Sequence, residues 1–226
     1  MLCEELRREV LKTANLLPVY GLVWMAGGTV CARDEESGYV VVTPSGMPYS
    51  ELTPEDMVVT DIHNQVVDGK YRPSVATDLW NGIFRARPDV NAIVHAHSPY
   101  ATAFSVINQP VPIITETMAD WFDRPIPVAP YLHLEDEGFF TVPIQVLGDG
   151  FAVLLGSHGP ITVGKSLSNA LERAVTLEEA AKTYFIAKAI GTPLVFSDTQ
   201  IKRSYEYYHH RYGQHPIDND QEDGLA

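Results

Sequence analysis

The sequence predicts an α/β layer fold, and three observations carry that prediction. Short apolar runs of β type alternate with longer stretches of helical periodicity, the pattern of a sheet covered by helices. The chain has 226 residues and 45% hydrophobic content, which suits one sizeable domain with a full core. Histidines follow two of the apolar runs, at the strand ends where α/β folds place their sites. No internal repeat, low-complexity linker or domain boundary interrupts the pattern.

Residues 2–17 read as an amphipathic helix, with Leu2, Leu6, Val10, Ala14 and Leu17 at helical spacing and Pro18 closing it. The paired Gly27 and Gly28 either let backbone approach a ligand or make a turn. Residues 39–43 form a β-rich run that ends in the turn Pro44-Ser45-Gly46. Thr53 to Asp56 is a capped single helical turn. Residues 57–61 and 65–67 read as strands, followed by a tight turn at Asp68-Gly69. Ser74 to Arg87 is a second helix, with Ser74 as cap and Pro88 as stop. After the strand that begins at Ala92, residues 98–107 make a short helix, residues 111–115 a strand and residues 116–122 a loop of carboxylates and aromatics. Residues 126–128 are a short strand between prolines. Residues 136–147 are ambiguous, because Pro143 weakens a helix. Residues 151–155 and 161–164 are strands, and Ser166 to Ile190 is the longest helix, with Gly191 as its C-cap. Ser197 or Asp198 caps a last helix that carries Ile201, Tyr205, Tyr208 and Tyr212. The acidic stretch from His215 reads as a disordered tail.

Net charge is −13, which argues against nucleic acid or an anionic membrane as partner. An anionic small substrate is still allowed, because a metal and backbone amides make a pocket locally positive. Two cysteines, Cys3 and Cys31, make neither a disulfide framework nor a metal spacing, which points to a cytoplasmic protein. No apolar run reaches the ~18 residues a membrane span needs, and the charged start (Glu4, Glu5, Arg7, Arg8) does not read as a signal peptide.

The chemistry concentrates in Ala92-Ile93-Val94-His95-Ala96-His97-Ser98-Pro99. Residues two apart on a strand share a face, so His95 and His97 project together while Ala96 turns away. His158 also follows a buried-type strand, and Gly156 and Gly159 leave room around it. Three histidines from two strand ends leave one or two positions open on a divalent metal, the catalytic rather than the structural arrangement.

These motifs resemble the class II aldolase/adducin-type family, and within it most closely the L-ribulose-5-phosphate 4-epimerase branch. The resemblance runs from the first helix to Tyr212-Gly213-Gln214. It is carried by Gly28-Thr29-Val30, Pro44-Ser45-Gly46, Pro73-Ser74, the His95/His97 strand, Ala119-Asp120 and Ser157-His158-Gly159-Pro160. It implies a single three-layer domain over residues 1–214, a central mixed β-sheet flanked by helices. It implies one divalent ion per subunit on His95, His97 and His158, zinc first, with manganese or cobalt as alternatives. It implies a substrate phosphate cradle at Gly28, Thr29, Ser45, Gly46 and Ser74. Asp120 and Tyr212 are implied as the acid/base pair, reaching the metal site of a neighbouring subunit in a homotetramer. The implied reaction is retro-aldol cleavage and re-addition through a metal-bound enediolate, with one proton donor on each face of the aldehyde.

Three positions depart from the family pattern. Thr29 stands where Asn is usual, and Val75 and Ala76 follow Ser74 where the family has a second Ser and an acidic residue. The cradle therefore loses donors, and the site loses the carboxylate that serves aldolases as base. The departures admit a sugar-phosphate epimerase or aldolase that relies on Asp120 and Tyr212. They also admit an aldolase or decarboxylase acting on an unphosphorylated hydroxy-keto compound, with Glu116 as a substitute carboxylate. The same family includes metal-free interaction modules, against which the intact histidine triad argues.

Overall fold

The computed structural model describes residues 1–213, and its centre is one sheet of eight strands. They are β1 (Thr29–Arg33), β2 (Val40–Val42), β3 (Val58–Thr60), β4 (Val66–Asp68), β5 (Ala92–His95), β6 (Val128–Ala129), β7 (Ala152–Leu155) and β8 (Gly159–Gly164). Their order is β4-β3-β2-β1-β5-β8-β7-β6. Only β6 and β7 run parallel; every other neighbouring pair is antiparallel, so the sheet is mixed.

Strand alternation sends successive residues to opposite layers. Val30, Ala32, Ala92 and Val94 pack with Val10, Ala14, Leu17, Ala170 and Ala174, which belong to α1 (Glu4–Val19) and α6 (Leu167–Ile190). Cys31 and Ile93 face the other way, into Leu79, Trp80, Ile83, Phe84 and Leu147 of α2 (Thr77–Ala86) and α5 (Val142–Leu147). A third cluster joins β7 to α3 (Pro99–Val106), α4 (Glu116–Trp121), α6 and α7 (Asp198–Arg211). The result is the expected α/β three-layer arrangement, a mixed sheet between helical layers. At its far edge, the fully buried Arg7 of α1 donates to Met57 O at 2.7 Å and pairs with Asp68 at 2.6 Å.

Several local expectations are corrected. Residues 111–115 are not a strand: Pro110 and Pro112 lack the N–H a ladder needs, and only Val111 bridges to Ile126. Residues 116–122 are not a loop but largely α4, whose N-cap Thr115 accepts from Met118 N. The short strand after Ile126 is shifted to Val128–Ala129. Pro18 lies inside α1, which continues to Val19. Helix α2 starts at Thr77 rather than at Ser74, and its N-cap is Ala76, whose N–H donates to the Ser74 hydroxyl at 3.4 Å. The ambiguous stretch resolves as α5, with Pro143 in the first turn, where its missing N–H costs nothing. No helix among the described residues is long and apolar enough to cross a membrane. Gln214 and the tail expected from His215 lie outside the described residues.

Candidate metal centre

Three backbone devices bring the histidines together. β5 ends at His95, which pairs across the ladder with Thr29 of β1 and with Ile161 of β8. Beyond it, Ala96 N donates to Pro160 O at 3.1 Å and His97 N to Leu22 O at 3.0 Å, fixing the two residues after the strand. The β7–β8 turn places Ser157 in left-handed backbone at φ 52°, and His158 N donates to Leu155 O at 3.0 Å. Two glycines let these segments touch. A Cβ on Gly159 would sit 2.2 Å from Ala96 O, and one on Gly28, at φ +127°, would sit 2.8 Å from His95 O.

The ring nitrogens converge. His97 Nε2 lies 3.1 Å from His95 Nε2 and 3.0 Å from His158 Nε2. Two nitrogens bound at about 2.0–2.1 Å to a tetrahedral ion lie about 3.3 Å apart, so the trio is spaced to share one cation. One ligand atom from each of the three residues falls within 4.8 Å of the others. The Nδ1–H of His95 donates to Pro160 O at 3.0 Å, which leaves its Nε2 lone pair facing the partners. Burial pushes the pKa of all three imidazoles below the ordinary histidine value, and the neighbouring rings lower His95 and His97 further. Neutral imidazoles with convergent lone pairs fit a divalent ion.

One carboxylate supports this end of the sheet without touching the trio. Glu178 of α6 is buried and accepts N–H bonds from Tyr100 at 3.0 Å and Ala101 at 2.9 Å, in the first turn of α3. It thereby holds the helix that begins two residues after His97.

The trio opens into a cleft of about 360 Å³ that brings all the sequence-predicted substrate residues together: Gly28, Thr29, Ser45, Gly46 and Ser74. Thr29 Oγ1 and Ser74 Oγ lie 3.0 Å apart, and Trp80 Nε1 donates to Ser74 Oγ at 3.3 Å. Val75 and Ala76 line the same wall with apolar surface, and no carboxylate lines the cleft among the described residues. Asp120 and Tyr212 are not in this cleft. Asp120, on α4, accepts from Ser204 Oγ of α7 at 3.1 Å, and Tyr212 stacks on Tyr208. Both therefore sit on the α4–α7 face, away from the histidines of their own chain. Burial raises the pKa of Asp120 above the ordinary aspartate value, Ser204 opposes that shift and Glu116 adds to it. Glu116 is exposed at the start of α4 and does not line the cleft.

Sequence reasoning missed His133, Tyr131 and Trp80, all in the cleft wall. Glu135 N donates to His133 Nδ1 at 3.3 Å, so in the neutral ring the proton sits on Nε2. The histidine itself was a visible signal, but nothing in the sequence placed its loop in the same cleft as the trio. Trp80 packs its ring 5.4 Å from that of His95.

Comparison with known proteins agrees with this geometry. The family model of the class II aldolase and adducin N-terminal domain matches residues 8–185. An L-fuculose 1-phosphate aldolase superposes with a TM-score of 0.88 at 29% identity, covering 92% of this chain and 98% of its own. YgbL from Escherichia coli, a proposed aldolase, epimerase or decarboxylase, gives 0.81 at 24% identity over 89% and 98%. L-fuculose-1-phosphate aldolase from Thermus thermophilus gives 0.72 at 23% identity over 82% and 95%. With a match over most of its length and a histidine trio spaced to hold a metal ion, the chain belongs to the class II aldolase and adducin family, as a metal-dependent enzyme of its lyase and epimerase kind.

Proposed function

We propose that the protein cleaves and re-forms a carbon–carbon bond beside a carbonyl, and that its reaction is the 4-epimerisation of L-ribulose 5-phosphate. The observation that carries this reading is the convergence of three neutral imidazoles in a cleft that also holds Thr29, Ser45, Gly46 and Ser74. A divalent ion held by His95, His97 and His158, zinc foremost, supplies Lewis acidity to a carbonyl and the hydroxyl beside it. Thr29 and Ser74 donate hydroxyls to a substrate oxyanion, and Ser45 adds a third. Val75 and Ala76 offer no donor, so the cradle grips a phosphate by fewer bonds than a fully polar wall would.

Proton transfer has to come from groups other than residue 76. His133, which lines the cleft, offers Nε2–H as a hydrogen-bond donor to a substrate oxygen. Asp120 and Tyr212 supply the two-faced donor pair of an epimerase, and this requires a neighbouring subunit to bring them to the cleft. We infer a homotetramer with shared sites, formed by residues 1–214 as one catalytic domain. The raised pKa of Asp120 suits a carboxyl that carries a proton during the reaction.

A second reading is favoured by Val75 and Ala76: aldol cleavage or decarboxylation of an unphosphorylated hydroxy-keto compound. One assay separates the readings. Metal-loaded protein is incubated with L-ribulose 5-phosphate, and xylulose 5-phosphate and free aldehyde are followed separately. Xylulose 5-phosphate supports epimerisation and accumulating aldehyde supports aldol cleavage. Neither product removes both sugar-phosphate reactions and directs the search to carbon dioxide release from keto acids.

A further inference from the structure

We propose that a second cleft, at the far end of β8 from the histidines, binds a small phosphate or carboxylate compound with its oxyanion against Arg173 and Lys165. This cleft holds about 530 Å³ and shares no lining residue with the histidine cleft.

The argument starts from Arg173. It is 6% exposed, yet no carboxylate pairs with it among the described residues. Its Nη1 donates to Val163 O at 2.7 Å and its Nε to Trp121 O at 3.4 Å, while Nη2 has no acceptor among the described residues. The guanidinium lies 3.9 Å from the centre of the Phe151 ring, so its face is covered and its edge is what remains for a ligand. A buried cation without a counter-ion is costly, and an arginine edge is shaped to grip an oxyanion with two parallel bonds.

Asp123 and Glu172 attract this charge without an ion pair to it, Asp123 being paired with Arg124, and a second cation shares the cleft. Lys165, just past β8, lines the same cleft and makes no ion pair among the described residues. Arg87 is already occupied: it grips Asp89 through two bonds, at 2.9 and 2.8 Å, and donates to Gly148 O and Gly150 O. That pairing also neutralises Asp89, the acidic residue of the wall. In a chain of net charge −13, this cleft holds two cations, Arg173 and Lys165, that make no ion pair among the described residues. Tyr205 and Tyr208 complete the wall and offer hydroxyls and ring faces to the body of the ligand.

The test is a calorimetric titration of the intact, metal-loaded protein with inorganic phosphate and, separately, malonate, against chloride at matched ionic strength. Saturable binding is expected for at least one of the two anions. Lys165→Gln, at an exposed position, is expected to weaken it at least fivefold, and Arg173→Met to abolish it. Ser74→Ala, in the histidine cleft, is expected to leave it intact. Absence of saturable binding, binding unchanged in Lys165→Gln, or binding that Ser74→Ala removes would each overturn the proposal. The Ser74→Ala control separates binding in this cleft from binding in the histidine cleft, whose proposed substrate also carries a phosphate.

Discussion

At the scale of single residues, burial is what turns three histidines into a ligand set. Desolvation keeps the rings neutral, and His95 is oriented by a backbone carbonyl through Nδ1. His95→Ala should reduce metal content from about one ion per chain to near none, read by elemental analysis of purified protein. Gly159→Ala forces a Cβ into Ala96 O, and should cost more than about 2 kcal/mol in chemical denaturation and weaken the ion's affinity as well. Asp120 makes a pH-dependent prediction. Its native pKa is raised above the ordinary 3.8, so its ionised form is the less stable one in the fold. The sign is that of an acid held protonated: no cost at pH below 3.8, and a growing cost as pH rises through the raised value. Asp120→Asn should therefore match wild type in thermal midpoint at pH about 4 and exceed it at neutral pH, while losing about 10²–10⁴-fold in turnover. The histidines were legible in the sequence because a two-residue spacing on a strand dictates a shared face. His133 was not, because its place in the cleft depends on a loop far along the chain from the trio's strand, which no local pattern encodes.

Among the elements, β2, β3, β5, β7 and β8, with α1, α2 and α6, were legible from apolar runs and periodicity, whereas β1 (Thr29–Arg33) was not expected as a strand, because the glycine pair before it reads as a turn. Another misread stretch is α4, whose six residues are too few to show a helical period and whose carboxylates and aromatics imitate a loop. Its helical state is fixed by the cap at Thr115 and by packing of Met118 and Ala119 into the third cluster. Glu178 is a further case: it lies 78 and 77 residues from the amides it accepts, so only the folded chain reveals it. Glu178→Ala leaves two amides at the start of α3 without acceptors, and should cost about 1–3 kcal/mol in unfolding free energy. Glu178→Gln should recover part of that loss. The same pair should rank in the same order in metal affinity, because α3 follows directly on His97 and Ser98.

For the molecule as a whole, the chain sets the histidine trio, Thr29, Ser45 and Ser74 in one cleft and Asp120 and Tyr212 on another face, and the proposed function calls on both. Two inactive proteins, His95→Ala and Asp120→Asn, should regain activity when unfolded together and refolded as mixed assemblies, because some interfaces then unite an intact trio with an intact Asp120. Refolding each alone should give none, and equal inactivity of the mixture would mean that the site is not shared. That division is not readable from one sequence by pattern alone, since periodicity describes a chain and not its contacts with copies of itself.

The cross-strand partnership of Thr29 and His95 sets a fixed ruler at the heart of the cleft. Facing residues on adjacent antiparallel strands keep a separation of about 5 Å, set by the peptide ladder and indifferent to loop motion. In the proposed function, the grip on the ion by His95 and the grip on the substrate by Thr29 are thus two marks on the same scale. A longer or shorter ligand cannot be accommodated by breathing there; it has to be met by the turns around Ser45 and His133. Change of substrate in this scaffold is expected to begin in those turns, with the ruler left unaltered.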